Sequence, residues 1–305
     1  MSSRHDAERG GPTSPLASPL DGAAEPYVLR SPTVAETPVI VEVPHAGLAV
    51  DAASMRHLVA PIRSIARDAD FEVHRVYEVA PACGASLLVA THSRFVVDLN
   101  RARDDYDGLT VDGGPERVQP RGVVWRLTTD GEPMLSRRLD PSELERRLRA
   151  FYDPYHACLA ELIEAKRRVF GFAIVLAGHS MPSSGRRGHV DVGTGRADVV
   201  PGTRGHSTAA RGLIGRIDAV AARHGLSVAH DTPYRGGHNT QRWGRPDEGV
   251  HALQVELARR LYLDDEELSV VPGGLASAQR FVAELLTELG RWRPETEPSR
   301  GVSSP

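Results

Sequence analysis

Two histidines each close a strand-like apolar run and are followed by turn chemistry. His45 ends Val39-Ile40-Val41-Glu42-Val43-Pro44-His45-Ala46-Gly47, and His179 ends Phe172-Ala173-Ile174-Val175-Leu176-Ala177-Gly178-His179-Ser180. Neutral imidazole is the commonest side-chain metal ligand, and the downstream ends of strands in α/β proteins face the crevice where ligands sit. Pro44 keeps the chain extended before His45 and Gly47 lets it turn sharply afterwards, which aims the imidazole out of the strand end. A single such histidine is better explained by a hydrogen bond within a loop; two in like surroundings suggest a metal-dependent enzyme. A catalytic zinc takes three protein ligands and leaves a position for water, so a third donor is needed. Asp68 and Asp70 precede a helix-like segment, where one carboxylate can cap the helix while the other reaches a metal.

Glu256 lies in the apolar run His251-Ala252-Leu253-Gln254-Val255-Glu256-Leu257. Burying a carboxylate without a partner costs on the order of several kcal/mol, so Glu256 either pairs with an arginine such as Arg259 or Arg260 or serves as a general base that passes a proton to the leaving nitrogen. Arg94, Asn100 and Arg101 flank the run Phe95–Leu99; a guanidinium binds a carboxylate through two parallel hydrogen bonds and suits an acidic substrate. The glycine-rich loops His230–Thr240, containing Tyr234 and Gly237, and Asp198–Ser207, containing Arg204, are further candidates for positioning substrate. Gly178-His179-Ser180 and Gly205-His206-Ser207 lack the Gly-x-Ser-x-Gly elbow, and there is no glycine-rich phosphate loop, which argues against serine catalysis and nucleotide chemistry.

The elements that must hold these groups alternate between strand-like and helix-like, as in an α/β fold with a mixed, largely parallel sheet. Strands are expected at Pro38–Val43, Ser86–Thr91, Arg94–Leu99, Phe172–Ala177, Leu226–His230 and His251–Leu257. Helices are expected at Phe71–Val79, Pro141–Arg168, Ser207–His224 (with Ser207 as N-cap) and Gly274–Leu289. Within the long one, Leu144, Leu148, Phe151, Tyr155, Leu159 and Leu162 recur at helical spacing and form its core face. Residues 1–30 and 294–305 are rich in Ser, Pro, Gly and charge, a composition expected to remain disordered, leaving one domain over 31–293.

The net charge of −3 gives no footprint for nucleic acid. No stretch approaches a membrane span or a signal peptide. Cys83 and Cys158 lack the spacing of a thiolate metal site or disulfide framework and read as thiols of a reducing cytoplasm.

Taken in order, Val43-Pro44-His45-Ala46-Gly47, Asp68-Ala69-Asp70-Phe71-Glu72-Val73-His74-Arg75-Val76-Tyr77, Ser93-Arg94 with Asp98-Leu99-Asn100-Arg101, Thr128-Thr129-Asp130-Gly131, Pro154-Tyr155-His156, His179-Ser180, Tyr234-Arg235-Gly236-Gly237 and His251–Leu257 resemble the N-formylglutamate amidohydrolase family. The resemblance spans about 38–265. It implies a three-layer α/β/α domain of the zinc carboxypeptidase and aspartoacylase type, with one Zn²⁺ held by His45, His179 and Asp70, Asp68 being the alternative carboxylate. It further implies Glu256 as general base, Asn100 and Arg101 on the substrate carboxylate, and Arg94 or Arg101 at the developing oxyanion. The implied reaction is attack of a metal-bound water on the formyl amide of N-formyl-L-glutamate, releasing formate and L-glutamate. The chain departs from the family pattern at Ala177, His74 and Ala46, where relatives commonly carry Asp, Asp and Ser. These departures keep open a related amidase for another N-acyl amino acid or small peptide, or an inactive metal- or anion-binding homologue.

Overall fold

The computed structural model describes residues 25–294. Segments 1–24 and 295–305, on which most of the two expected tails fall, lie outside the described residues. The strands are β1 (Tyr27–Arg30), β2 (Val39–Val43), β3 (Ser86–Ala90), β4 (Ala173–Met181), β5 (Val199–Gly202) and β6 (Val250–Ala258). They form one sheet in the order β1-β3-β2-β4-β6-β5. The central neighbours β3, β2, β4 and β6 run parallel, and β1 and β5 add antiparallel edges. The helices are α1 (Ala52–Met55), α2 (Ile62–Asp68), α3 (Val73–Tyr77), α4 (Pro141–Arg147), α5 (Asp153–Phe170), α6 (Arg211–Arg223), α7 (His238–Trp243) and α8 (Gly274–Arg291).

Both faces of the sheet are covered, which is why its central strands are continuous apolar runs. Strand alternation sends Val39, Val41, Val43, Ile174 and Leu176 to one side, with α3, α6 and α8. It sends Ile40, Leu88, Val175 and Ala252 to the other, with α4, α5 and part of the segment 91–140. This is the expected α/β architecture with a mixed, largely parallel sheet. The long helical stretch opens with a proline in its first turn, passes through a π-turn at Leu148–Tyr152 and stops at Gly171, whose φ of 80° suits a residue without Cβ.

Four expectations change. Arg94–Leu99 is not a strand. The Ser93 carbonyl accepts from Val96 N, its hydroxyl from Phe95 N, and the Asp98 carboxylate accepts from Asn100 N, so local side-chain bonds replace a ladder. Leu226–His230 makes one bridge, Val228 to Val199, because Asp231 turns the chain away by accepting from the backbone of Thr203, Arg204 and Gly205. Helix α6 starts at Arg211 with Ala210 as N-cap, and Ser207 instead donates to the Arg204 carbonyl. Tyr27–Arg30, assigned above to a disordered tail, pairs with β3 as an edge strand. No helix among the described residues is long and apolar enough to cross a membrane.

Chain order explains the location of the site. From β2 the chain reaches β3 on one side, then crosses to β4 on the other, so strand order reverses between β2 and β4. A crevice opens at such a point beyond the carboxyl ends of the strands. His45 follows β2, His179 lies near the end of β4, and Glu256 near the end of β6.

Candidate metal centre

His45, Asp70 and His179 are buried together, with one potential ligand atom from each lying within 4.8 Å of the others. The two imidazole centroids are 4.8 Å apart at 62°. Asp70 reaches the histidines because its amide donates to the His45 carbonyl (3.0 Å) while its own carbonyl accepts from Val73 N (3.1 Å) at the start of α3. The Asp70 carboxylate lies 2.9 Å from His179 Nδ1 and 3.8 Å from His45 Nδ1. Asp68, by contrast, is spent on Thr129 N (2.8 Å) and the Arg186 guanidinium. Neither aspartate caps α3, whose N-cap is Glu72 in a left-handed conformation.

His45 Nε2 donates to Asp98 Oδ1 (2.8 Å), which leaves Nδ1 with its lone pair facing the cluster. Asp98 also accepts from Arg94 Nε (3.1 Å) and Nη2 (2.7 Å) and from Trp125 Nε1 (3.0 Å). Burial pushes the Asp98 carboxyl up, but the Arg94 charge and the hydrogen bond from His45 hold it well below the usual range. Burial and the Arg94 cation bring His45 down to about 4, so at neutral pH its ring is neutral and able to ligate. Burial pushes Asp70 up, yet its hydrogen bond to His179 and the neighbouring cations hold it at about 2, so it is ionised. Two imidazoles and one carboxylate converge, His45 being oriented from behind by Asp98, and this donor set fits a divalent cation of the zinc type.

Glu256 sits beside this cluster because β4 and β6 pair His179 with Glu256 in parallel register. Strand alternation puts Gln254 on the same face, and its Nε2 donates to Glu256 Oε1 (2.9 Å). Burial, reinforced by the Asp70 charge, pushes Glu256 up to about 7. The salt bridge to Arg259 or Arg260 considered from sequence does not form: Arg259 donates to the Arg67 and Ala69 carbonyls, and Arg260 pairs with Asp198.

A cavity of about 320 Å³ connects His45, Asp70, His179 and Glu256 with Asn100, Arg101, Tyr234 and Gly237. Asn100 is fixed by a buried relay. Its Oδ1 accepts from Asn239 N (3.0 Å), and Asn239 Nδ2 donates to both oxygens of Glu42 (3.0 Å each), which also accepts from Tyr155 OH (3.0 Å). Asn100 Nδ2 lies 3.4 Å from His179 Nε2. The adjoining backbone is held by His156 Nε2, donating to the Leu99 carbonyl (3.0 Å), and by Tyr152 OH, donating to that of Arg101 (2.8 Å). Tyr234 is raised to about 12 by burial and the Glu256 charge, so its hydroxyl keeps its proton, and it accepts from Arg196 (3.2 Å).

Two candidates are engaged with protein groups. Arg94 borders the cavity, but its guanidinium is committed to Asp98 and stacks 4.4 Å from the Trp125 ring centroid. That pairing holds Asp98 in place. Arg204 is outside the cavity lining and donates to the Gly236 carbonyl (3.0 Å), which supports the loop instead.

Gly237 has a steric reason. A Cβ there would lie 2.5 Å from Asn100 Oδ1 and 2.7 Å from its Cγ, while Gly237 N donates to Gln254 Oε1 (2.8 Å). Gly237→Ala is therefore expected to displace the Asn100 amide and to lose about 1–3 kcal/mol of stability, typical of overpacking. Urea denaturation measures the loss, and an unchanged midpoint would show that the loop yields freely.

A model of the N-formylglutamate amidohydrolase family matches residues 37–263. The chain belongs to the N-formylglutamate amidohydrolase family. Within its range lie His45, Asp70, Asp98, His179 and Glu256. Among curated relatives, an N-formylglutamate deformylase of Pseudomonas aeruginosa is 34% identical over 267 residues, covering 85% of this chain and 94% of the relative. One from Pseudomonas putida is 32% identical over 267 residues, with coverage of 85% and 94%. The crystal structure of an N-formylglutamate amidohydrolase from Ralstonia eutropha JMP134 superposes with a TM-score of 0.80 at 29% identity, covering 87% of this chain and 97% of that one.

Sequence reasoning assigned no role to Asp98, Gln254, Glu42 or Asn239. Asp98 and Glu42 carried the same signal that singled out Glu256, a carboxylate among apolar neighbours. Gln254 was legible from its two-residue spacing to Glu256 on a strand, whereas nothing local marks Asn239.

Proposed function

We propose that this chain is a metal-dependent amidohydrolase of the cytoplasm that cleaves the formyl amide of N-formyl-L-glutamate to formate and L-glutamate, with Zn²⁺ as its cation. The reading is carried by the convergence of His45, Asp70 and His179 beside Glu256 in a member of this family. His45, Asp70 and His179 would hold the cation, which when bound supplies Lewis-acid activation of water and of the substrate carbonyl. Glu256 takes a proton from the attacking water and delivers it to the amide nitrogen as the C–N bond breaks; a carboxyl near about 7 can do both at neutral pH. The Tyr234 hydroxyl, still protonated, is available to donate to the developing oxyanion. Asn100 and Arg101 take a substrate carboxylate and fix the amide in place.

The experiment combines elemental analysis of the purified protein with formate and amine release from N-formyl, N-acetyl and N-succinyl amino acids. Expected are about one zinc per chain, preference for N-formyl-L-glutamate, and loss of both metal and turnover in His45→Ala. A metal-loaded protein inert on the whole panel, or full activity after chelation, would sink the proposal.

A further inference from the structure

A second cavity of about 290 Å³ adjoins the first and shares with it Arg94, Arg101, Thr129, His189 and Tyr234. Its wall is rich in cations, and their pairing is uneven. Arg94 is neutralised by Asp98 (2.7 Å), and Arg196 is held by both oxygens of Asp191 (2.8 Å each). His189 is brought down to about 4 by burial and by the Arg196 and Arg186 charges, so it carries none. Arg101 and Arg121 remain. Neither guanidinium forms an ion pair or a hydrogen bond with any described residue, and both line the outer cavity. Arg121 is half-buried, its guanidinium carbon 6.0 Å from the Trp125 ring centroid; burial disfavours its charge, Asp68 attracts it without touching it, and Arg101 and Arg94 repel it.

Two partly buried guanidiniums on one wall, with carboxylates such as Asp68 and Asp98 acting on them only from a distance and none in contact, favour a ligand that brings negative charge. A ligand with a single carboxylate needs one of them. Arg101 borders both cavities and follows Asn100 beside His179, whereas Arg121 borders only the outer one. We propose that Arg121 is a specificity-determining residue that binds the distal, side-chain carboxylate of a dicarboxylic N-acyl amino acid, while Arg101 binds the carboxylate nearer the scissile amide. This deepens the function proposed above and rests on it for the identity of the inner cavity as the reaction site. Arg235 also borders the inner cavity without an acidic partner, but it is exposed, where water already solvates its charge.

The test compares N-formyl-L-glutamate with N-formyl-L-glutamine, which has the same shape but lacks the distal charge. In Arg121→Gln, kcat/KM for the glutamate derivative is expected to fall about 10- to 100-fold, mainly through KM, as for loss of hydrogen bonds to a charged group. The glutamine derivative should change by less than about 3-fold, and Arg121→Lys should recover part of the glutamate preference. Arg101→Gln should impair both substrates. Calorimetry of L-glutamate against L-glutamine binding to the wild type and Arg121→Gln gives a readout independent of turnover. If the wild type hydrolyses neither N-formyl compound but binds glutamate through Arg121, the proposed reaction fails and the subsite stands. Equal losses on both substrates in Arg121→Gln, no loss on either, or wild-type binding indifferent to the distal charge would overturn the subsite.

Discussion

Glu256→Gln is expected to bind metal with wild-type stoichiometry and to turn over about 10²- to 10⁴-fold more slowly, the usual contribution of a positioned general acid–base group. The substitution conserves shape, and the amide oxygen can still accept from Gln254 Nε2, which donates at 2.9 Å in the wild type. What disappears is the ability to take a proton and return it. Because the base works only when ionised, wild-type kcat/KM should rise with pH and level off above the Glu256 pKa, which burial places at about 7. A bound cation favours the carboxylate form and moves that limb to lower pH. The variant's residual rate should lack this limb. A pH–rate profile with metal analysis on the same samples decides the matter, and a variant retaining more than about a tenth of the rate would remove Glu256 from proton transfer.

The second large effect is predicted at Asp98, which is fully buried behind the cavity lining. Asp98→Asn keeps the volume but removes the charge that meets His45 Nε2 at 2.8 Å and Arg94 at 2.7 Å. An amide aligned to accept from one must turn its NH₂ toward the other. Losing a partner that orients a ligating histidine typically costs about 10- to 100-fold in metal affinity, and leaving a buried guanidinium uncompensated costs about 3–5 kcal/mol. Competition titration against a chromophoric chelator measures the first and urea denaturation the second. Wild-type metal affinity in a destabilised variant would make Asp98 a folding residue alone.

Much of this was legible from residue types. The runs at Val39–Val43, Ala173–Met181 and Val250–Ala258 are apolar on both faces because they lie in the parallel centre of the sheet. A polar side chain near the end of such a run stands out, which is how His45, His179 and Glu256 were found. Phe95–Leu99 misled because burial alone resembles a strand; its apolar residues pack without a ladder, and the hydrogen bonds of Ser93 and Asp98 are set by tertiary context. Tyr27–Arg30 misled in the opposite sense, since a partly exposed edge strand of four residues is too short to stand out beside a polar tail. The groups behind the site were harder to read because their partners are distant: Glu42 meets Asn239 across 197 positions, and Asp98 meets His45 across 53. Such pairings depend on register, which is invisible in a linear chain.

The reversal of strand order between β2 and β4 also dictates when competence arises during synthesis. Val39 must find Ile174 before the two histidines can face one another, and contacts of such separation form slowly. A nascent chain that has emerged only through Met181 holds both imidazoles yet lacks Glu256, the proposed proton carrier on Val250–Ala258. On that assignment hydrolytic power arrives with the last strand, and a chain that stops short of it is expected to be inert instead of a half-functional catalyst.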